Sequence, residues 1–185
     1  MILQELQSII SELNATLKHV SIEDADEAVN HICTAPKIFL AGVGRSGYMM
    51  KAFTMRLMHS GLNAFVIGDT ETPKATKNDL LILGSGSGET ESLLAIAKKA
   101  KKIGLHIIVI TGFPKSSLGI LGSEVIQISA PTPKSSNKNN FNSVQPMGSL
   151  FEQSLLIYLD ALVLEIMDRK NLNGAAMFSR HANLE

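Results

Sequence analysis

The sequence predicts a three-layer α-β-α sandwich built on a five-stranded parallel sheet. Three observations carry this. Five short runs, 37–41, 63–67, 80–83, 107–110 and 125–128, are apolar without alternation, as strands covered on both faces are. Longer stretches with helical apolar spacing are interspersed with them, and such a succession builds parallel sheets. Two glycine-rich turns, 42–47 and 84–90, both follow strands, and in such sheets ligands bind at strand carboxyl ends near a topological switch point.

The elements follow in order. Leu3, Leu6, Ile9, Ile10, Leu13 and Leu17 recur at helical spacing over 2–18. Ser21 can cap a second helix running to about residue 35, with Glu23 and Asp24 in its first turn and Pro36 ending it. The first strand is followed by a helix over 46–60 with Gly61 as its C′ residue. After the second and third strands a helix over 89–103 turns Leu93, Leu94, Ile96, Ala97 and Ala100 inward, and Gly104 closes it. The fourth strand leads through a short helical turn, 118–121, to the fifth. A loop over 131–147, rich in Ser, Asn, Lys and Pro, is long for a compact domain, which marks functional or mobile segments. Ser149 opens a strongly apolar helix to about residue 167. Residues 1–185 read as a single domain, with leading helices over about 2–35 and a C-terminal helix and tail over about 149–185.

Composition narrows the function. The 185 residues are 45% hydrophobic with formal net charge zero, which opposes disorder and a nucleic-acid footprint. The run Lys98-Lys99-Ala100-Lys101-Lys102 falls late in a helix, where cations complement the dipole. A single cysteine, Cys33, cannot form an internal disulfide and reads as a small core residue. No signal peptide or membrane-length apolar run is seen, so a cytoplasmic protein is expected. His19, His31, His59 and His106 sit on separate elements without metal-ligand spacing, so no metal is expected.

Gly84-Ser85-Gly86-Ser87-Gly88-Glu89-Thr90 places three hydroxyls and three glycines at a strand-to-helix turn. Free N–H groups and the helix dipole suit an anion there. No lysine lies in the turn, so it is not a P-loop. Gly42-Val43-Gly44-Arg45-Ser46-Gly47 matches a dinucleotide fingerprint, and Asp69 follows the second strand as a ribose-binding acid could. The Ser/Gly turn after the third strand is unexplained by that reading. Arg45 and Ser46 instead put a cation and a hydroxyl where a second anion-contacting loop would want them.

Gly42-x-Gly44-x-Ser46 followed by Ser85-x-Ser87-Gly88-x-Thr90 resembles the sugar isomerase (SIS) domain family. Asp79-Leu80-Leu81, the turn 84–90, Ser143-Val144-Gln145-Pro146-Met147-Gly148-Ser149-Leu150-Phe151-Glu152-Gln153 and the ending His181-Ala182-Asn183-Leu184-Glu185 are similar to its 6-phospho-3-hexuloisomerases. The resemblance implies a flavodoxin-like sheet, a homotetramer, no cofactor and a sugar-phosphate substrate. It implies interconversion of 3-hexulose 6-phosphate and fructose 6-phosphate, beside the 3-hexulose-6-phosphate synthase that fixes formaldehyde. An arabinose 5-phosphate isomerase and a non-catalytic phosphosugar sensor are the alternatives.

Moving a carbonyl from C3 to C2 needs one carboxylate that takes a proton and returns it to the neighbouring carbon. Glu152 matches the family's catalytic glutamate. Ser149-x-x-Glu152 is also a capping box, in which Glu152 would only bond the Ser149 N–H. Ser46, Ser85, Ser87 and Thr90, with N–H groups of Gly86, Gly88 and Glu89, are the expected phosphate ligands, beside Gly47. The Glu89 carboxylate should point away from an anion. Arg45 can meet phosphate or oxyanion, or form a surface ion pair. His181 is either solvated or reaches a neighbouring subunit's pocket to help open the sugar ring.

Overall fold

A computed structural model of the chain describes residues 1–131 and 143–184. Its elements are α1 (Ile2–Leu17), α2 (Ile22–Thr34), β1 (Ile38–Gly42), α3 (Gly44–His59), β2 (Ala64–Val66), β3 (Leu80–Gly84), α4 (Glu91–Ile103), β4 (His106–Thr111), α5 (Ser117–Leu121), β5 (Glu124–Gln127), α6 (Ser149–Arg169) and α7 (Gly174–Phe178). All strand pairs are parallel, in the order β2-β1-β3-β4-β5.

Alternate residues of each strand face opposite layers. Ile38, Leu40, Leu80, Ile82, Ile108 and Ile110 pack on one side against α2, α3 and α6, and Leu13 and Leu17 of α1 close that layer. Phe39, Ala41, Leu81, Leu83, Ile107 and Val109 face the other way, onto Leu93, Ala97 and Ala100 of α4 and Leu118 of α5. The runs are continuous in apolar residues because both faces are covered. At about 25 cal/mol per Å² of apolar surface removed from water, this double burial is the main stabilising term.

The strand order reverses between β1 and β3, the switch point at which open α/β sheets leave a crevice. Gly42 and Gly84 pair in register there, at the carboxyl ends of the two strands. This order also removes the dinucleotide reading. A dinucleotide fold carries a second mononucleotide half, whereas the described sheet has five strands and Asp69 lies beside Lys51 at 3.9 Å.

The expected elements are present, with shifts that have local causes. Helix α3 begins at Gly44 rather than at Ser46. Helix α4 begins at Glu91, because Ser87 Oγ accepts the Glu89 N–H at 3.2 Å and Thr90 keeps extended backbone angles. The tail forms one helix that periodicity did not reveal: Asn173 Oδ1 accepts the Ala176 N–H at 2.9 Å and caps α7. Most of the 131–147 loop lies outside the described residues.

Gly88 fixes the shape of the turn after β3. Its φ is +66°, and a Cβ there would lie 1.9 Å from Ser116 Oγ at the start of α5. Its carbonyl also accepts the Leu118 N–H at 2.9 Å, tying the turn to α5. Gly88→Ala is therefore expected to cost about 2–4 kcal/mol, from a left-handed φ plus overpacking. Urea denaturation measures this; an unshifted midpoint would contradict the role.

Candidate active site

Three helix N-termini meet at the switch point. Helix α3 starts two residues after Gly42, α4 starts after the 84–90 turn, and α6 starts at Ser149. Between them lies a cleft of about 220 Å³ lined by Val43, Ser46, Gly84, Ser85, Gly86, Ser87, Thr90, Met147, Gly148, Phe151 and Glu152. Each N-terminus contributes partial positive charge and unpaired N–H groups, so the cleft favours an anion before any side chain is counted.

The 84–90 turn is organised by its own hydroxyls. Ser85 Oγ accepts the Gly88 N–H at 3.2 Å and lies 3.2 Å from Thr90 Oγ1. The N–H groups of Gly88 and Glu89 are thus engaged inside the loop, while those of Gly86 and Ser87 meet no acceptor among the described residues. The Glu89 carboxylate turns away from the cleft and accepts the Ser117 N–H at 2.8 Å. These bonds hold its carboxyl below the usual range. Of the residues expected to bind substrate, Ser46, Ser85, Gly86, Ser87 and Thr90 line the cleft; Arg45, Gly47, Gly88 and Glu89 stand outside that lining. Gly47 supports the wall, since a Cβ there would lie 2.8 Å from the Gly42 carbonyl oxygen.

On the opposite wall Glu152 projects from the first turn of α6. Arg45 Nε lies 3.0 Å from Glu152 Oε2, and Arg45 Nη1 donates to Ser149 Oγ at 3.1 Å. The capping-box alternative does not form: the N-cap is Gly148, with no side-chain cap bond, and Ser149 is already helical. Glu152 Oε2 is buried, and Arg45 approaches it without hydrogen-bond geometry. Among the described residues that oxygen accepts no hydrogen bond, which leaves it open to a proton, as a proton acceptor needs.

Sequence reasoning missed what places Met147 and Gly148 in the cleft. Glu12 of α1 accepts from Ser143 Oγ at 2.8 Å, the Val144 N–H at 2.8 Å and Gln145 Nε2 at 3.0 Å. Gln145 Oε1 in turn accepts from Gln153 Nε2 of α6. The chain then turns through Met147, whose φ is +58°. Burial raises the Glu12 carboxyl, but the bonds from Gln145, Val144 and Ser143 outweigh it and hold it below its ordinary value. An acid in the middle of an amphipathic helix carries no local signal for this contact.

His181 is not brought to the cleft of its own chain. Its ring stacks on His59 at 5.4 Å and on Phe178 at 5.7 Å. His59 ends α3, a 16-residue helix, so at about 1.5 Å per residue it lies roughly 20 Å from Arg45.

Comparison with known proteins places the chain in a family. The SIS domain model matches residues 31–157. The chain belongs to the SIS domain family. It is 45% identical over 177 residues to the 3-hexulose-6-phosphate isomerase of Bacillus subtilis, covering 96% of this chain and 95% of that one. It is 44% identical over 159 residues to the 3-hexulose-6-phosphate isomerase of Methanocaldococcus jannaschii, covering 86% and 83%. A crystal structure from Methanococcus jannaschii, for which a molecular function of 3-hexulose-6-phosphate isomerase was inferred, superposes with a TM-score of 0.85 at 39% identity, covering 98% and 99%. This SIS chain has no described helix long and apolar enough to cross a membrane.

The Glu12 network yields a pH-dependent prediction. Its folded-state pKa is lowered, so its stabilisation is full above about pH 4.5 and is lost as pH falls through the lower folded value. Glu12→Gln is expected to lower stability by about 1.5–3 kcal/mol at neutral pH, the range for bonds to a charged group. Urea denaturation should show that difference at pH 7 and a smaller one near pH 3.5.

Proposed function

We propose that this SIS chain is a sugar-phosphate isomerase that interconverts 3-hexulose 6-phosphate and fructose 6-phosphate. The observation that carries the reading is one ion-paired carboxylate, Glu152, facing a hydroxyl-lined anion cradle across a single cleft. Relatives that bear this activity and align over nearly the full chain support it.

The phosphate sits on the 84–90 turn, bonded by Ser46, Ser85, Ser87 and Thr90 and by the free N–H groups of Gly86 and Ser87. It takes no part in the chemistry; its fixed position aligns the sugar carbons with the base. Glu152 removes the proton from C2 of the 3-ketose, and electrons shift into an enediolate across C2 and C3. The hydroxyl proton passes from O2 to O3. Glu152 returns its proton to C3, leaving the carbonyl at C2. Arg45, already beside Glu152, stabilises the oxyanion.

The protein acts as one SIS unit and assembles as a homotetramer in the cytoplasm, where the synthase condensing formaldehyde with ribulose 5-phosphate supplies its substrate. Exposed Ile2, Leu3, Leu6 and Ile10 along α1 support association with further copies. His181, remote from its own cleft, acts in that of a neighbouring subunit to open the sugar ring.

Glu152→Gln is expected to lower kcat by about 10²–10⁴-fold, the usual worth of a positioned proton-transfer group, with fructose 6-phosphate binding nearly unchanged. An assay coupled to fructose 6-phosphate formation checks it, and near-normal turnover removes Glu152 from the mechanism. A sensor would bind without turnover, and a pentose phosphate isomerase would ignore the hexulose. Ser87→Ala is expected to raise KM about 10–100-fold through one lost bond to a charged group, leaving kcat within a few-fold.

A further inference from the structure

A second cluster of donor groups lies at the far edge of the sheet from the cleft. His106 begins β4 and Glu124 begins β5. His31 of α2 covers them, its ring 3.9 Å from that of His106 between centroids. One donor atom from each of His31, His106 and Glu124 lies within 4.8 Å of the others. The Glu124 side chain is only 9% exposed. Among the described residues, both its carboxylate oxygens are buried without a hydrogen-bond partner, and so is His106 Nε2. His106 Nε2 stands 3.6 Å from Glu124 Oε2, beyond hydrogen-bond reach. Unsatisfied polar atoms gathered at one buried point are costly unless something binds them.

We propose that His31, His106 and Glu124 form a structural site for a divalent ion of the zinc type. Two imidazole nitrogens and one carboxylate oxygen are a zinc donor set, with a fourth position left for water. Magnesium and calcium prefer oxygen alone. Tetrahedral bonds of about 2.0–2.1 Å set donors roughly 3.3 Å apart, so the three groups, within 4.8 Å of one another, would close on an ion by rotation of their side chains. The ligands come from three elements, α2, β4 and β5, so the ion would clamp α2 to the sheet edge. At about 3.3 Å per residue, the four-residue rise along β4 from His106 to Ile110, which pairs with the cleft residue Gly84, separates this point from the cleft by roughly 13 Å. The ion takes no part in isomerisation.

The test uses the full chain, stripped with EDTA and dialysed. Titration calorimetry with ZnCl₂ alone should show one ion per chain, and MgCl₂ should give no heat of binding. Glu124→Gln and His106→Gln should each weaken zinc binding at least tenfold, while His19→Gln leaves it unchanged. Co²⁺ should develop the visible d–d bands of a four-coordinate site in the wild type and lose them in Glu124→Gln. Zinc should raise the Tm of the wild type but not of Glu124→Gln, because an ion that binds only the folded chain stabilises it. Circular dichroism verifies the fold of each variant. His31→Gln, altering only the helix-borne ligand, decides the matter if a strand variant does not fold. Absence of zinc binding, or binding of equal strength in the folded ligand variants, overturns the proposal and leaves a plain His–Glu contact.

Discussion

Gly42, Gly47 and Gly84 meet where β1 and β3 end, and a β-carbon on any of them would crowd its neighbours. A Cβ on Gly42 would lie 3.0 Å from Gly47 Cα, and one on Gly84 would lie 2.7 Å from Met50 Sδ and 3.2 Å from Leu155 Cδ2. The close approach lets α3 leave β1 directly over the sheet and lets α6 pack beside it. Were any of the three backbones pushed outward, the two helices would part. Arg45 and Ser46 on α3 and Glu152 on α6 would then no longer share a cleft.

Electrostatics follow from that packing. The cleft gathers the N-termini of α3, α4 and α6, so partial positive charge converges before a ligand arrives. Acidic groups near it are either turned away or paired. Glu89 is held outward by the Ser117 N–H, and Glu152 stands against Arg45. A net charge of zero for the whole chain thus coexists with a locally anion-attracting cavity, because the sign is set by helix ends and not by composition.

Glu12 extends the same logic beyond the cleft. The segment 143–148 has no regular structure to hold it, and its shape comes from one carboxylate that accepts bonds from three successive residues. A charged acceptor binds such donors more strongly than a neutral one. Helix α1, which contributes no residue to the cleft lining, thereby sets one of its walls.

The sheet, its order of strands and helices and the two glycine-rich turns were legible because burial on both faces and turn chemistry write themselves locally, as at Ile38–Gly42 and Leu80–Gly84. Ser46, Ser85, Ser87 and Thr90 were legible for the same reason: hydroxyl at a strand-to-helix turn is a local signal. Pairing was not. Ser149 and Glu152 satisfy a capping box in sequence, yet Arg45, more than a hundred residues earlier, takes both. Helix α7, the Glu12 anchor and the meeting of His31 with His106 and Glu124 were equally invisible. The sequence by itself determined the layers and the glycine- and hydroxyl-rich turns that end β1 and β3, through spacing and residue type. Only the tertiary structure decided which charge faces which, because an ion pair depends on where the sheet carries each helix end, and no spacing along the chain records that distance.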